Sequence, residues 1–388
     1  MQLRQLIADE FEANIELLQY AFQLKLDAER LANKRRNFKA EQFWGAFEEG
    51  SLKAQLQLIP LQLYVQGRAL AMGGIANVST WPEYRRHGHV TQLLVRVLRH
   101  MRENGQSVSC LHPFSVGFYR KFGWELYTDY KKYTIETANF PPRVATEGYV
   151  VRVGADIPLL ARVYNNYASR YNGTLARDEA WWGKVLKLGS VVVYFRPDGE
   201  PAGYILYEIE KRVMTVHEMV HEDERARRAL WTFIANHDSM IDKAVLEAPM
   251  DDILPFLLPN PRISQEIMPY FMARIVDAPA FVQQYAFGAT GERTQISVQL
   301  IDPHAPWNEG VWHLTVAEDG RGTLAPGDPD ENGSADLACD IGSWTAMLMG
   351  YRRPEELYGC GRMDGTEDAV RRLEAILPKC QTYLLDYF

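Results

Sequence analysis

The segment that most constrains this chain runs from Leu70 to Met101, where a strand, a basic loop and an amphipathic helix follow one another. Leu70–Thr80 reads as a strand, paired in sequence with Gln55–Gln66 across the turn-forming Gly67. After the loop Trp81–Gly88, the apolar residues Val90, Leu93, Leu94, Val97, Leu98 and Met101 recur at helical spacing, with Arg96, Arg99 and Arg102 on the other face. A helix starting here leaves about four backbone N–H groups without helical partners, and its dipole adds partial positive charge. The loop therefore has two readings. It is an anion site, with Gly88 admitting a phosphate close to the backbone and Arg85 and Arg86 adding charge, or it is a plain capped helix with surface arginines. It lacks the glycine spacing of a nucleotide P-loop or a dinucleotide fold.

The 388 residues suffice for two to four domains, and 47% hydrophobic with 24% charged residues excludes wholesale disorder. The net charge of −8 argues against a general nucleic-acid binder. It is unevenly spread: residues 1–140 carry 18 Lys/Arg against 14 Asp/Glu, and the remainder 24 against 36. That imbalance points to an anion held in the first third, with a cation nearby. Cys110, Cys339, Cys360 and Cys380 show no C-x-x-C spacing and read as free thiols, with no metal site expected. The first ten residues include Asp9 and Glu10 before any apolar run, so no signal peptide is expected, nor any membrane span. The expected location is cytoplasmic.

Three units are expected, 1–145, 146–285 and 286–388. The first opens with a helix over 11–33 and, after the segment above, continues with strand Ser107–Leu111 and a short helix through Phe118–Phe122 that Gly123 ends. Strands around Trp124–Thr137 close it. The second repeats this order, with helices near Ile157–Arg170 and Glu179–Leu188 and strands Val191–Phe195, Ala202–Glu210 and Arg212–Val220. A helix through Ala226–Ile234 and strand Ala244–Ala248 follow. Its turn, His221-Glu222-Asp223-Glu224-Arg225, has no glycine and three acids where an anion would sit, so this copy reads as structural. Trp181-Trp182 and Tyr164, Tyr167 and Tyr171 read as core. The third unit is α+β, with an acidic turn at Gly327–Gly333 that does not fit a calcium loop.

Arg85-Arg86-His87-Gly88-His89-Val90 resembles the R-x-x-G-x-G/A pyrophosphate loop of GCN5-related N-acetyltransferases (GNATs), with Val90 at the last position. Phe118-Tyr119-Arg120-Lys121-Phe122-Gly123-Trp124 resembles the F-Y-x-x-x-G-[FW] segment of the same superfamily. Two such units before a sterol-carrier-protein-like unit resemble the Eis (enhanced intracellular survival) family over essentially the whole chain. The resemblance implies a mixed α/β fold of tandem GNAT-like domains plus a sterol-carrier-protein-like α+β domain, with acetyl-CoA as co-substrate. It implies Tyr119 as general acid and the terminal carboxylate of Phe388 as general base. It assigns the pantetheine arm to Val78, Ser79 and Thr80, and the pyrophosphate to Arg86, His87, Gly88, His89, Val90 and Thr91. Phe114 and Ser115 would flank the thioester.

A tyrosine of ordinary pKa about 10 stays protonated at neutral pH and can donate. A terminal carboxyl near 3.3–3.7 is a weak base unless buried, and its surer part is to orient a cationic amine. Asp386 is expected to add to that field. The acceptor expected is an aminoglycoside- or polyamine-like cation, and the family implies a homo-oligomer, a hexamer. The other reading is a lipid- or small-ligand-binding protein, with Trp344, Met347, Leu348 and Met349 lining a tunnel and the GNAT units as scaffold. Phe22 and Trp44 are candidates for an acceptor pocket or for core.

Overall fold

The computed structural model describes residues 1–328 and 335–388. In the first unit the strands are β1 (Gln2–Gln5), β2 (Phe43–Glu48), β3 (Ser51–Val65), β4 (Arg68–Thr80), β5 (Val108–Leu111), β6 (Glu125–Leu126) and β7 (Asp129–Glu136). Its helices are α1 (Phe11–Ala21), α2 (Ala28–Arg36), α3 (His89–Glu103) and α4 (Val116–Arg120). The helix expected over 11–33 is thus two helices. Gln23 takes a left-handed φ of 53° after α1, and the Asp27 carboxylate caps α2 by accepting from Arg30 N–H at 2.8 Å.

The first two units hold seven-stranded sheets that exchange strands. The first sheet runs β1-β2-β3-β4-β5, then Met272–Ile275, then β6. β7 instead pairs antiparallel with Lys243–Ala248 in the second sheet. One strand therefore passes in each direction across position 145. The helix Ala278–Gln284 packs on strand Gly322–Pro326 of the third unit's sheet.

The repeat read in the sequence is present as geometry. In the first unit β4 and β5 are parallel neighbours joined by α3, and in the second Val213–His221 and Lys243–Ala248 are parallel neighbours joined by α7 (Glu224–Ala235). Leu93, Leu94, Val97, Leu98 and Met101 form the buried face of α3. Gly73 on β4 lets that helix approach, since a Cβ there would run into Met101 and Leu58. At the start of α7, Asp223 caps Ala226 N–H, while Arg196 pairs with Glu222 at 2.9 Å and Asp223 at 2.8 Å. The acids there serve the helix and Arg196 and leave no place for an anion.

The third unit is a five-stranded sheet covered by helices that include Ile341–Leu348 and Glu367–Ile376. Trp344, Met347, Leu348 and Met349 are buried in the largest apolar cluster, so the residues named for a tunnel pack a core. Trp181, Trp182, Tyr164, Tyr167 and Tyr171 belong to the same cluster, and Trp44 is core in the first unit. Phe22 is exposed at the end of α1. Residues 329–333 of the acidic turn at Gly327–Gly333 lie outside the described residues.

Candidate active site

β4 and β5 pair only from Met72 to Ile75 against Val108 to Leu111. Beyond Ile75, β4 runs on to Thr80 with its edge away from β3 unpaired by β5. A bulge helps part the strands. Gln57 pairs with Ala76 and Gln55 with Ser79, so Asn77 and Val78 stand opposite Leu56 alone, and Asn77 takes a left-handed φ of 54°. Val78 and Thr80 therefore offer main-chain groups along an open edge, while Ser79 between them turns its own toward Gln55 of β3, as the Trp81 N–H does toward the Lys53 carbonyl at 3.1 Å. The Ser79 side chain is buried, with its hydroxyl donating to the Asn77 carbonyl at 3.3 Å.

The loop ahead of α3 turns through the left-handed region at Arg86 (φ 66°) and again at Gly88 (φ 82°), which is the N-cap. No backbone N–H from Arg86 through Thr91 has an acceptor among the described residues, whereas Gln92 N–H donates to the Gly88 carbonyl. Successive free N–H groups around left-handed residues form a concave anion cradle at the positive end of the helix. A Cβ built at Gly88 would meet nothing within 4 Å, so the cradle faces open space. Arg85, Arg86 and His87 are exposed around it. His89 differs: its ring is buried, and Nε2 lies 3.0 Å from a Glu48 oxygen, so only its backbone N–H faces the cradle.

α4 follows the end of β5 and carries Tyr119. Gly123, at φ 83°, terminates this turn. Tyr119 is 2% exposed and packs with Phe114, Phe118 and Trp124 at ring distances of 5.2, 5.1 and 6.4 Å. Burial pushes its phenol well above the usual tyrosine range, so it holds its proton at neutral pH. Phe114 is exposed, and Ser115 precedes α4 with a free hydroxyl. A buried ion pair supports α4 from beneath. Arg274 binds both oxygens of Asp302 at 2.7 and 2.8 Å and donates to the Phe122 carbonyl.

The last residues of the chain reach the first sheet. The ring of Phe388 lies 4.8 Å from that of Phe271 and 6.2 Å from that of Trp181, and rests against Gly74 and Leu61. Gly74 is next to Ile75, the last β4 residue paired with β5, so the tail ends where the two strands part. Asp386 does not add to an open negative field, as the sequence suggested. Its side chain is fully buried, accepting from Arg177 Nε at 2.9 Å and Trp181 Nε1 at 2.7 Å. Burial raises its carboxyl above the usual range, against the pull of Arg177.

The structure thus gathers Val78–Thr80 and the 86–91 cradle along one opening, with Phe114, Ser115 and Tyr119 following the end of β5. Phe271 and His112 link Phe388 to that end, since the His112 ring lies 5.4 Å from Phe271 and 5.1 Å from Tyr387. Sequence reasoning missed His112, whose burial lowers its pKa, and Arg177. The position of His112 just past a buried strand and two residues before Phe114 was the available signal. A cavity of about 570 Å³ is lined by Leu61 and Trp181, by His100 and Asn104 at the end of α3, and by Glu41, Asp178 and Arg177.

Residues 2–127 and 173–275 match acetyltransferase (GNAT) domains, and 278–385 match a sterol carrier protein domain. An uncharacterized N-acetyltransferase of Streptomyces avermitilis is 24% identical over 86% of this chain and 85% of its own. N-acetyltransferase Eis of Mycobacterium tuberculosis is 24% identical over 81% and 80%. Among solved structures, a probable N-acyltransferase of Enterococcus faecalis superposes with a TM-score of 0.93 at 29% identity, covering 100% of this chain and 99% of that one. Eis1 of Mycobacterium abscessus superposes at 0.81 with 21% identity over the full length of both, which shows the shared fold. The chain is a GNAT acetyltransferase with the Eis-like organisation of two acetyltransferase domains followed by a sterol carrier protein domain.

Proposed function

We propose that the protein transfers acetyl from acetyl-CoA to a primary amine of a polycationic acceptor of the aminoglycoside or polyamine kind. The observation that carries this is the opening between β4 and β5, which leads from a row of free backbone N–H groups to a buried tyrosine. The N–H groups of 86–91 suit a pyrophosphate, and the edge of Val78–Thr80 suits the amides of a pantetheine arm. Phe114 and Ser115 stand where the thioester would end. Acetyl-CoA supplies the activated acyl group, and the chain's own residues manage the protons. The amine nitrogen bonds to the acyl carbon as the carbon–sulfur bond breaks. The Phe388 carboxylate takes one proton from the ammonium before attack, directly or through a water. Tyr119 gives its proton to the departing sulfur, and the second nitrogen proton, lost as the amide forms, restores the tyrosine by way of water.

A polycation suits the surroundings. Glu41 and Asp178 line the cavity with Arg177, whose charge is met by Glu218 and Asp386, so the two acids leave a field that suits an acceptor carrying several ammonium groups. Acetyl-CoA should raise the melting temperature in proportion to its saturation. Tyr119→Phe should keep that shift while losing most thiol release with a polyamine or aminoglycoside. Full turnover by the folded variant would remove Tyr119 from the chemistry, and no shift at saturating acetyl-CoA would remove the co-substrate.

A further inference from the structure

The second acetyltransferase domain has acids where its counterpart binds an anion, yet one of its segments touches both other domains. Main-chain bonds tie it to β3 of the first: Tyr64 N–H donates to the Thr174 carbonyl at 2.8 Å, and Ala176 N–H donates to the Gln62 carbonyl at 2.9 Å. Just upstream, Tyr171 and Asn172 pair in parallel with Gln381 and Thr382 of the tail, and Tyr383 N–H donates to the Asn172 carbonyl at 3.1 Å. The segment ends at Arg177. That guanidinium is wholly buried between the rings of Tyr164 and Trp182, at 4.0 and 4.8 Å. It is held on one side by both oxygens of Glu218, itself bound by the Tyr204 hydroxyl at 2.7 Å, and on the other it grips Asp386.

We propose that Arg177, acting through Asp386, is the positioning residue that sets the Phe388 carboxylate in the active site, and that this is what the second domain contributes to the reaction. The proposal rests on the reading of that carboxylate as the base. Between Asp386 and Phe388 the backbone spans at most about 7 Å, so a fixed Asp386 confines the terminal carboxylate to a small volume.

Two further contacts narrow it. The Tyr270 hydroxyl donates to the Asp386 carbonyl at 3.1 Å, and the Phe388 ring is wedged among Trp181, Phe271 and Gly74. Tyr387, between these anchors, is largely exposed, with its ring 5.1 Å from that of His112 and 6.2 Å from that of Phe271. A buried ion pair is a poor source of stability, because an apolar replacement often does as well. It is a good source of position. The Asp386 carboxylate is satisfied where it meets Arg177, the Trp181 indole and the Tyr164 hydroxyl together, which confines the tail to one placement.

The test is a cycle of Asp386→Asn against a protein lengthened by one glycine beyond Phe388, each in the full-length chain and checked by thermal melting. Thiol release is followed with acetyl-CoA and a polyamine. In the natural-length protein, Asp386→Asn should lower kcat at least about tenfold while leaving the KM for acetyl-CoA unchanged. In the lengthened protein, whose carboxylate is already displaced, the same substitution should change the residual rate less than about twofold. A fully active Asp386→Asn beside an inactive lengthened protein overturns the positioning role alone. An equal loss in both backgrounds also overturns it, because a purely structural residue acts alike in each. A fully active lengthened protein overturns the terminal base, and the positioning role falls with it. If Asp386→Asn does not fold, Trp181→Phe, which keeps one aromatic ring and removes the indole donor with the rest of its five-membered ring, is read the same way.

Discussion

Gly74→Ala tests whether the seat of the terminal ring matters to the chemistry. A Cβ at this position would lie 2.9 Å from Cε2 of Phe388 and 3.0 Å from Cδ1 of Leu61, against an ordinary contact of 3.4–4 Å. The ring must therefore retreat by about 0.5 Å or more, and the carboxylate on the same residue moves with it. Geometric shifts of up to about 1 Å in a reacting group cost up to roughly a hundredfold in rate. The expected loss in kcat is tenfold to a hundredfold, equivalent to about 1.4–2.7 kcal/mol of barrier. The dissociation constant of acetyl-CoA, read by calorimetry, should not move, because Gly74 precedes the Val78–Thr80 edge. Phe388→Leu in the same background should recover part of the loss, since leucine lacks the offending ring edge. A folded Gly74→Ala protein with undiminished kcat would refute the reasoning, as would a loss confined to acetyl-CoA binding.

Other outcomes follow from the same geometry. Burial raises the Tyr119 pKa by disfavouring the phenolate, so the proton donor persists to higher pH and kcat should not fall between pH 7 and about 9.5 on its account. A falling alkaline limb in that range, absent from the residual rate of Tyr119→Phe, would contradict this. Gly88→Ala adds a side chain to a φ of 82° without any clash, so it should cost about 1 kcal/mol of strain and act mainly on the KM for acetyl-CoA. An unchanged KM would argue against a pyrophosphate in the cradle. Asp302→Ala leaves Arg274 buried without its partner beneath α4, and should lower unfolding stability by about 3–5 kcal/mol. A loss under about 1 kcal/mol in denaturant titration would show that water or another group replaces the carboxylate.

Local features were legible in the sequence. The spacing of Leu93, Leu94, Val97, Leu98 and Met101 gave the helix, and Gly88 its start. The run Phe118–Trp124 gave the tyrosine-bearing turn. What the sequence concealed depends on partners far away in the chain. Nothing local in Asp129–Glu136 or Met272–Ile275 says which sheet each will join, because the edge that receives a strand is set by the other domain. The break after α1 lies at Phe22-Gln23-Leu24, with no glycine or proline to mark it. The sequence reads Asp386 as an acid that adds to the field of the chain end, and its partners Arg177 and Trp181 stand more than two hundred positions earlier.

The central claim is that this chain joins acetyl to an amine across the opening between β4 and β5. Its most direct test is the mass of a polyamine or aminoglycoside after incubation with the protein and acetyl-CoA, taken together with thiol release. The account predicts an acceptor heavier by whole acetyl groups, with one free thiol per group transferred. Thiol released without acetylated amine, or acetyl-CoA bound and left intact across such acceptors, would contradict it.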